Sequence, residues 1–343
     1  MHPIVHSKPW LTGEDKLAVE QVLSSGMLAQ GHQVHTFEKS VATYFNEQDA
    51  GVAFNSGTAA LQAALIALNV SVGDEVILPT YVCESVLFAV RTLGASPVLC
   101  DVSENWCITK ENVASLVSAR TKAIIYVHLF GIYSEIEALQ SLNVPIIEDF
   151  CQCFGALQGA VKRTGEFAVL SFHATKCLTT AEGGMVLADK KHIHHIREIR
   201  DGGSAARVFS PMSDLQAAVG LSQVNRYPQF IEKRKALFAY YCDALSGVVK
   251  AILPSDKGLF PLFRFVLQVE SEFDGLQQQF AREGIHLRRG VDKLLHRDEG
   301  LSDAQFATAT SLWNETISIP YYPALTHAEA QRVVDVCKKY LKG

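Results

Sequence analysis

The chain reads as an α/β protein: a three-layer α/β/α large domain on a mainly parallel sheet, followed by a smaller α+β C-terminal domain. Three observations predict this. Between about residues 50 and 188, short and almost wholly apolar strands alternate with amphipathic helices, the pattern of a parallel sheet buried on both faces. A long helical stretch then runs from about Met212 to Leu245, and beyond it the alternation stops. The 343 residues suffice for about two domains, and a hydrophobic content of 48% can fill a core in each.

Taken in order, Thr12 opens a first helix, with Asp15 three residues on completing a capping box, and Gly26 stops it after Ser25. Strands are expected at Gly51–Phe54, Glu75–Leu78, Pro97–Cys100, Ala123–His128, Val144–Glu148, Ala168–Phe172 and Met185–Ala188. Helices lie between several of them, at 57–69, where Leu61, Ala64, Leu65 and Leu68 form one stripe, and at 84–93. After the long helix come a strand at Leu259–Val269, a helix at Phe273–Glu283, an apolar-polar run at Thr316–Pro320 and a final helix, Thr326–Leu341, with a Thr326/Glu329 capping box. The expected domains are residues 1–235 and 236–343. There is no repeat or low-complexity tract.

Charge and cysteine usage exclude several function classes. Lys and Arg number 31 against 36 Asp and Glu, and the charges are scattered rather than gathered into a basic stripe, which argues against nucleic acid as a partner. No apolar run approaches the ~18 residues of a membrane span, and the N-terminal segment lacks the cationic and apolar regions of a signal peptide. A soluble, cytoplasmic protein is expected. The eight cysteines mostly sit in apolar segments and are expected to be free buried thiols. Cys151 and Cys153 lack a second ligand pair, and His192, His194 and His195 fan out around a helix, so no metal site is expected. No Gly-x-Gly-x-x-Gly follows the first strand, which argues against a nicotinamide dehydrogenase.

In such sheets ligands gather at the carboxyl ends of strands. Ser56, Gly57 and Thr58 lie where a strand becomes a helix, so backbone N–H groups and a hydroxyl can meet an anion; plain helix capping by Ser56 or Thr58 is the alternative. Asp149 ends another strand with Gln152 one turn on, and holds a charge for a cationic ligand atom or merely caps the turn. Ser171, His173 and Lys176 leave a third strand, offering a hydroxyl, an imidazole and an amine. Pyridoxal 5′-phosphate (PLP) requires this set: a phosphate cradle, a carboxylate for its pyridine nitrogen and a lysine for its aldehyde. Lys176 is therefore the expected Schiff-base residue and Asp149 its catalytic partner.

These residues resemble the DegT/DnrJ/EryC1/StrS sugar aminotransferases. The stretches that carry the resemblance span nearly the whole chain: Gly31 with Phe37-Glu38, Asn55 to Leu61, Gly73 to Pro79, Val127 to Gly131, Ile147-Glu148-Asp149 with Gln152, Ser171 to Lys176, Glu182-Gly183-Gly184 and Ile317 to Pro320. The resemblance implies the fold type I architecture of PLP enzymes and a homodimer. It further implies Gln152 near the ring and its phenolic oxygen, and Gly57, Thr58 and Ser171 on the phosphate. Lys176 would move the proton during transfer of an amino group from L-glutamate to a keto group of a nucleotide-linked deoxysugar. Three stretches depart from the family pattern. Cys83 replaces an aromatic over the ring face, Arg207 to Pro211 replaces a segment that supplies an Asn to the neighbouring subunit, and Arg288 to Asp292 diverges where the sugar would lie. Other readings are a sugar dehydratase, which would carry His at position 176, a cysteine desulfurase, which needs a mobile Cys loop, and a regulator, which would show a DNA-binding surface.

Overall fold

The computed structural model describes residues 2–47, 50–154, 163–203, 209–253 and 263–341. Seven strands form the large sheet: β1 Gly51–Phe54, β2 Glu75–Pro79, β3 Ser96–Cys100, β4 Thr121–Val127, β5 Ile146–Asp149, β6 Phe167–Ser171 and β7 Gly184–Ala188. Their order is β1-β7-β6-β5-β4-β2-β3. β7 runs antiparallel to both neighbours and the other pairs are parallel. The chain therefore has the expected fold type I α/β architecture, and the carboxyl ends of β1, β2, β4, β5 and β6 share one edge. All seven strands lie within a residue or two of their expected positions because each is apolar on both faces.

Helices cover both sides. Gly57–Ala67, Glu84–Thr92 and Lys190–Asp201 pack on one face of the sheet; His32–Thr43 and the first part of the long helix Asp214–Leu245 pack on the other, around Phe37, Phe150, Phe172 and Tyr227. A second sheet of β8 Ala251–Leu253, β9 Phe265–Gln268 and β10 Thr316–Ile319, in order β10-β9-β8, is antiparallel and has its own core with Phe273–Arg282 and His327–Tyr340. The strand expected at Leu259–Val269 is shorter here, and residues 259–262 lie outside the described set. Asp214–Leu245 runs unbroken past residue 235, and Ile4 pairs with Ile285 beside the second sheet. We propose that the division between the two bodies falls within this helix, with the residues around Ile4 attached to the smaller one.

The sequence reading named no helix at His32–Thr43, and the structure shows why. Its preceding residue is Gly31, which has no side chain to cap it. The cap comes from the start of the long helix: Asp214 accepts the N–H of Gly31 at 2.8 Å, of Val34 at 3.0 Å and of Gln33 at 3.2 Å. A Cβ at position 31 would fall 2.9 Å from an Asp214 oxygen, so glycine is needed for the approach. One buried carboxylate thus joins two helices and satisfies donors that a helix start leaves orphaned. Asp214→Ala is expected to lower unfolding free energy by about 2 kcal/mol, the upper end for loss of a capping residue, measured as a shift in the denaturant midpoint at unchanged slope.

Candidate cofactor and active site

At the end of β1, Asn55 N–H donates to Ser210 O at 2.9 Å and the helix Gly57–Ala67 begins. Ser56 does cap this helix, accepting Ala59 N–H at 3.1 Å. The N–H groups of Gly57 and Thr58 have no protein acceptor among the described residues, nor has the Thr58 hydroxyl. Ser171, the last residue of β6, lies against this turn: a Cβ at position 57 would fall 2.8 Å from Ser171 Cβ and 3.1 Å from its Oγ. The start of β7 is equally close, since a Cβ at Gly184 would lie 2.3 Å from Ser56 O. The two glycines let three strand ends converge on a cradle of free donors at a helix N-terminus, where an anion is favoured.

Asp149 ends β5 and is 6% exposed. It accepts Cys151 N–H at 2.8 Å, so the turn-capping role is present too, but no cation pairs with it among the described residues. Its neighbour Glu148 points to the opposite face, as alternation along a strand demands. There Glu148 is fully bonded: the N–H groups of Thr164 and Gly165 donate to it at 2.6 Å each, and the ring of His128 lies 3.0 Å from it. His128 stacks on Phe150 at 4.1 Å, fixing β5 from behind. Gln152 accepts Phe130 N–H at 2.9 Å through Oε1, which leaves its amide nitrogen free to donate.

After β6 the chain turns tightly, with Lys176 N–H donating to His173 O at 2.8 Å. The Lys176 amine lies 5.0 Å from the centroid of the Phe263 ring and makes no ion pair among the described residues. His173 is exposed, and its ring bonds to Thr175 within the same loop at 2.9 Å and faces Glu182 at 3.6 Å, so its imidazole is held by its own turn. Cys83 is exposed at the start of helix Glu84–Thr92, and Ser85 donates to its Sγ at 3.3 Å. Burial pushes the Cys151 thiol well above its ordinary range, and Asp149 adds to this, Lys176 opposes it and Cys83 raises it slightly further. Asp149, Lys176 and Cys83 all act on this thiol.

A sequence model of the DegT/DnrJ/EryC1/StrS aminotransferase family matches residues 9–338. The chain belongs to this family. Among its relatives is the spore coat polysaccharide biosynthesis protein SpsC of Bacillus subtilis, 29% identical over 382 residues that cover 100% of this chain and 98% of that protein. Similar structures include the aminotransferase TlmJ of Streptoalloteichus hindustanus, 25% identical with a TM-score of 0.91 over 98% of each chain. DesV of S. venezuelae is 28% identical with a TM-score of 0.88 over 98% of this chain and 99% of that one. Members of the DegT/DnrJ/EryC1/StrS family are PLP-dependent transaminases, and so is this enzyme.

The donor set fits that cofactor: a glycine-lined anion cradle, a buried carboxylate without a cation and an amine without a counter-ion share one edge. Of the departures from the family pattern, Cys83 reaches the site but offers far less area than an aromatic ring. Arg207 and Val208 lie outside the described residues. Sequence reasoning did not single out Phe130 or Phe263. Phe130 has φ 58°, a sparsely populated conformation for an aromatic, and this lets its N–H meet Gln152 while its carbonyl accepts Phe263 N–H at 2.9 Å. The cysteines are free, and no His, Cys, Asp or Glu cluster among the described residues has the makings of a metal site. No helix among them is long and apolar enough to cross a membrane. Gly57→Ala should weaken PLP binding about tenfold or more, since overpacking costs on the order of 1–3 kcal/mol; an absorption titration with unchanged affinity would remove the cradle from the cofactor site.

Proposed function

We propose that this aminotransferase moves the amino group of L-glutamate to a keto group of a nucleotide-linked deoxysugar, as a cytoplasmic homodimer. The observation that carries the reading is that the unpaired amine of Lys176, the unpaired carboxylate of Asp149 and the free N–H groups of the Gly57 turn stand at one sheet edge. Similarity to a polysaccharide biosynthesis protein supports a sugar acceptor. Exposed Leu17, Met27, Leu28 and Phe209 support a subunit interface, Phe209 lying next to the Ser210 carbonyl that holds Asn55. Lysine rather than histidine at position 176 favours transfer over sugar dehydration.

Bound PLP supplies an electron sink that allows an amino acid to lose its Cα proton. The residues have distinct parts in this. Lys176 would hold the cofactor covalently, and its Nζ would hold and move the proton taken from the donor Cα. Asp149 holds a negative charge at the pyridine nitrogen. Gln152, whose amide nitrogen is free to donate, and Cys83 would help to hold the ring. Ser56, Thr58 and Ser171 offer hydroxyls, and Gly57 and Thr58 backbone N–H groups, to the phosphate. His173 orders the turn that presents Lys176.

Mixing the PLP-loaded enzyme with L-glutamate should convert its visible absorption to that of the pyridoxamine form; no conversion with any common amino donor would sink the transfer assignment. Lys176→Ala should abolish borohydride trapping of the cofactor, and trapping at another lysine would move the attachment point. Asp149→Asn should slow the half-reaction on the order of a thousandfold, because unit charges ~4 Å apart at an effective dielectric of ~20 interact by about 4 kcal/mol. Single-turnover kinetics at saturating cofactor measures this; a loss below about tenfold would argue for a capping role alone.

A further inference from the structure

Where β2 ends, the chain meets a segment from the far end of the sequence. Residues 291–309 precede β10 and lie against the large core through Val291, Leu294, Leu295, Phe306 and Ala309. The contact centres on Thr80, which is wholly buried. Its N–H donates to Cys100 O at 2.9 Å, its carbonyl accepts Leu295 N–H at 3.1 Å, and its Oγ1 accepts His296 N–H at 3.0 Å. The Thr80 hydroxyl also lies 2.8 Å from His296 Nδ1, and His296 Nε2 lies 2.9 Å from Asp303 Oδ1. Arg297 holds the same carboxylate through Nε and Nη2, at 2.9 Å each, and the imidazole lies flat on Phe306 at 4.4 Å.

These bonds fix the proton positions. Thr80 Oγ1 already accepts the His296 N–H, so its own hydrogen goes to Nδ1, and the ring proton sits on Nε2 and donates to Asp303. A doubly protonated ring would leave the buried hydroxyl hydrogen with no acceptor among the described residues. Threonine, histidine and aspartate in this order have the form of a nucleophile with its base. Neither Thr80 nor His296 has exposed surface, however, so no substrate reaches them. Docking alone does not account for them either. The apolar side chains of the segment already attach it, and a buried polar pair adds a desolvation cost to that packing. What the pair adds is direction, because the N–H, carbonyl and hydroxyl of one threonine are all engaged.

Thr80 stands three residues before Cys83. Tyr81 and Val82 between them are buried, and Glu84, just beyond, pairs with Lys293 of the same segment at 3.0 Å. Cys83 is thus the exposed side chain of a turn anchored on both sides. We infer that His296, held by Asp303, is a positioning residue for the cofactor site: through the Thr80 hydroxyl it sets the turn that presents Cys83. The inference rests on the reading of Cys83 as a group beside the cofactor ring.

Alkylation of Cys83 by iodoacetamide, read by mass spectrometry of its peptide with and without PLP loaded, tests both. In the wild-type enzyme bound PLP should slow modification at Cys83. Thr80→Val keeps the shape and removes the hydroxyl; it should reduce that protection about threefold to tenfold, the range for one neutral hydrogen bond, and alter the visible circular dichroism of the bound cofactor. His296→Leu should do the same, and Thr80→Val keeps the test decisive if that variant fails to fold. Thr80→Ser restores the hydroxyl, and His296→Asn places an acceptor where Nδ1 stands, so both should return protection and circular dichroism toward wild type. Equal modification with and without PLP in the wild-type enzyme would overturn the reading of Cys83 and the inference with it. Protection that survives Thr80→Val would overturn the positioning role alone. Loss of protection that neither Thr80→Ser nor His296→Asn returns would mark the three side chains as packing only and overturn that role as well.

Discussion

The site depends on the way two adjacent carboxylates at the end of β5 are treated. Strand alternation sends Glu148 and Asp149 to opposite faces. Glu148 is saturated by two backbone N–H groups and the His128 ring, so its charge is spent inside the protein. Asp149, one residue on, keeps a single backbone N–H and no cation among the described residues. Burying a carboxylate costs several kcal/mol unless a partner compensates. The internal bonds to Glu148 fix the strand end that presents Asp149, which is left open to a cationic ligand atom. Rigidity is the useful property here, because a displacement of about 1 Å at a reacting centre can cost on the order of a hundredfold in rate.

The same economy of position governs the turn at Gly57. Two glycines, Gly57 and Gly184, let the ends of β1, β6 and β7 close on one another until Ser171 touches the helix start. The N–H groups left over are what a helix N-terminus always has in surplus. The fold therefore does not build a special anion receptor; it leaves an ordinary one uncovered at the edge where Asp149 and Lys176 already stand.

Much of this was legible in the chain, for physical reasons that also mark the limit. Strands buried on both faces are continuous apolar runs, so all seven of the large sheet could be read. Asp149, Ser171 and Lys176 follow such runs directly, which made them visible as strand-end groups. The helix His32–Thr43 was missed because its cap, Asp214, lies 183 residues from Gly31 in sequence. Phe263 and Arg264 were hidden for a similar reason. They come from the second body, and nothing local in their sequence says that Phe130, in a left-handed turn, will hold them next to Lys176. Capping by Ser56 and turn-bonding by Asp149 both occur alongside the binding features, so those bland readings and the functional ones were never exclusive.

Charge distribution ties the parts together. The chain carries a formal charge of −5, yet His6, His286 and Arg288 line one opening that reaches Thr175, the neighbour of Lys176. An acidic protein with a basic cleft focuses its field there and draws small anions to one place rather than over its surface. Burial first, and neighbouring cations second, push Arg264 and His6 down.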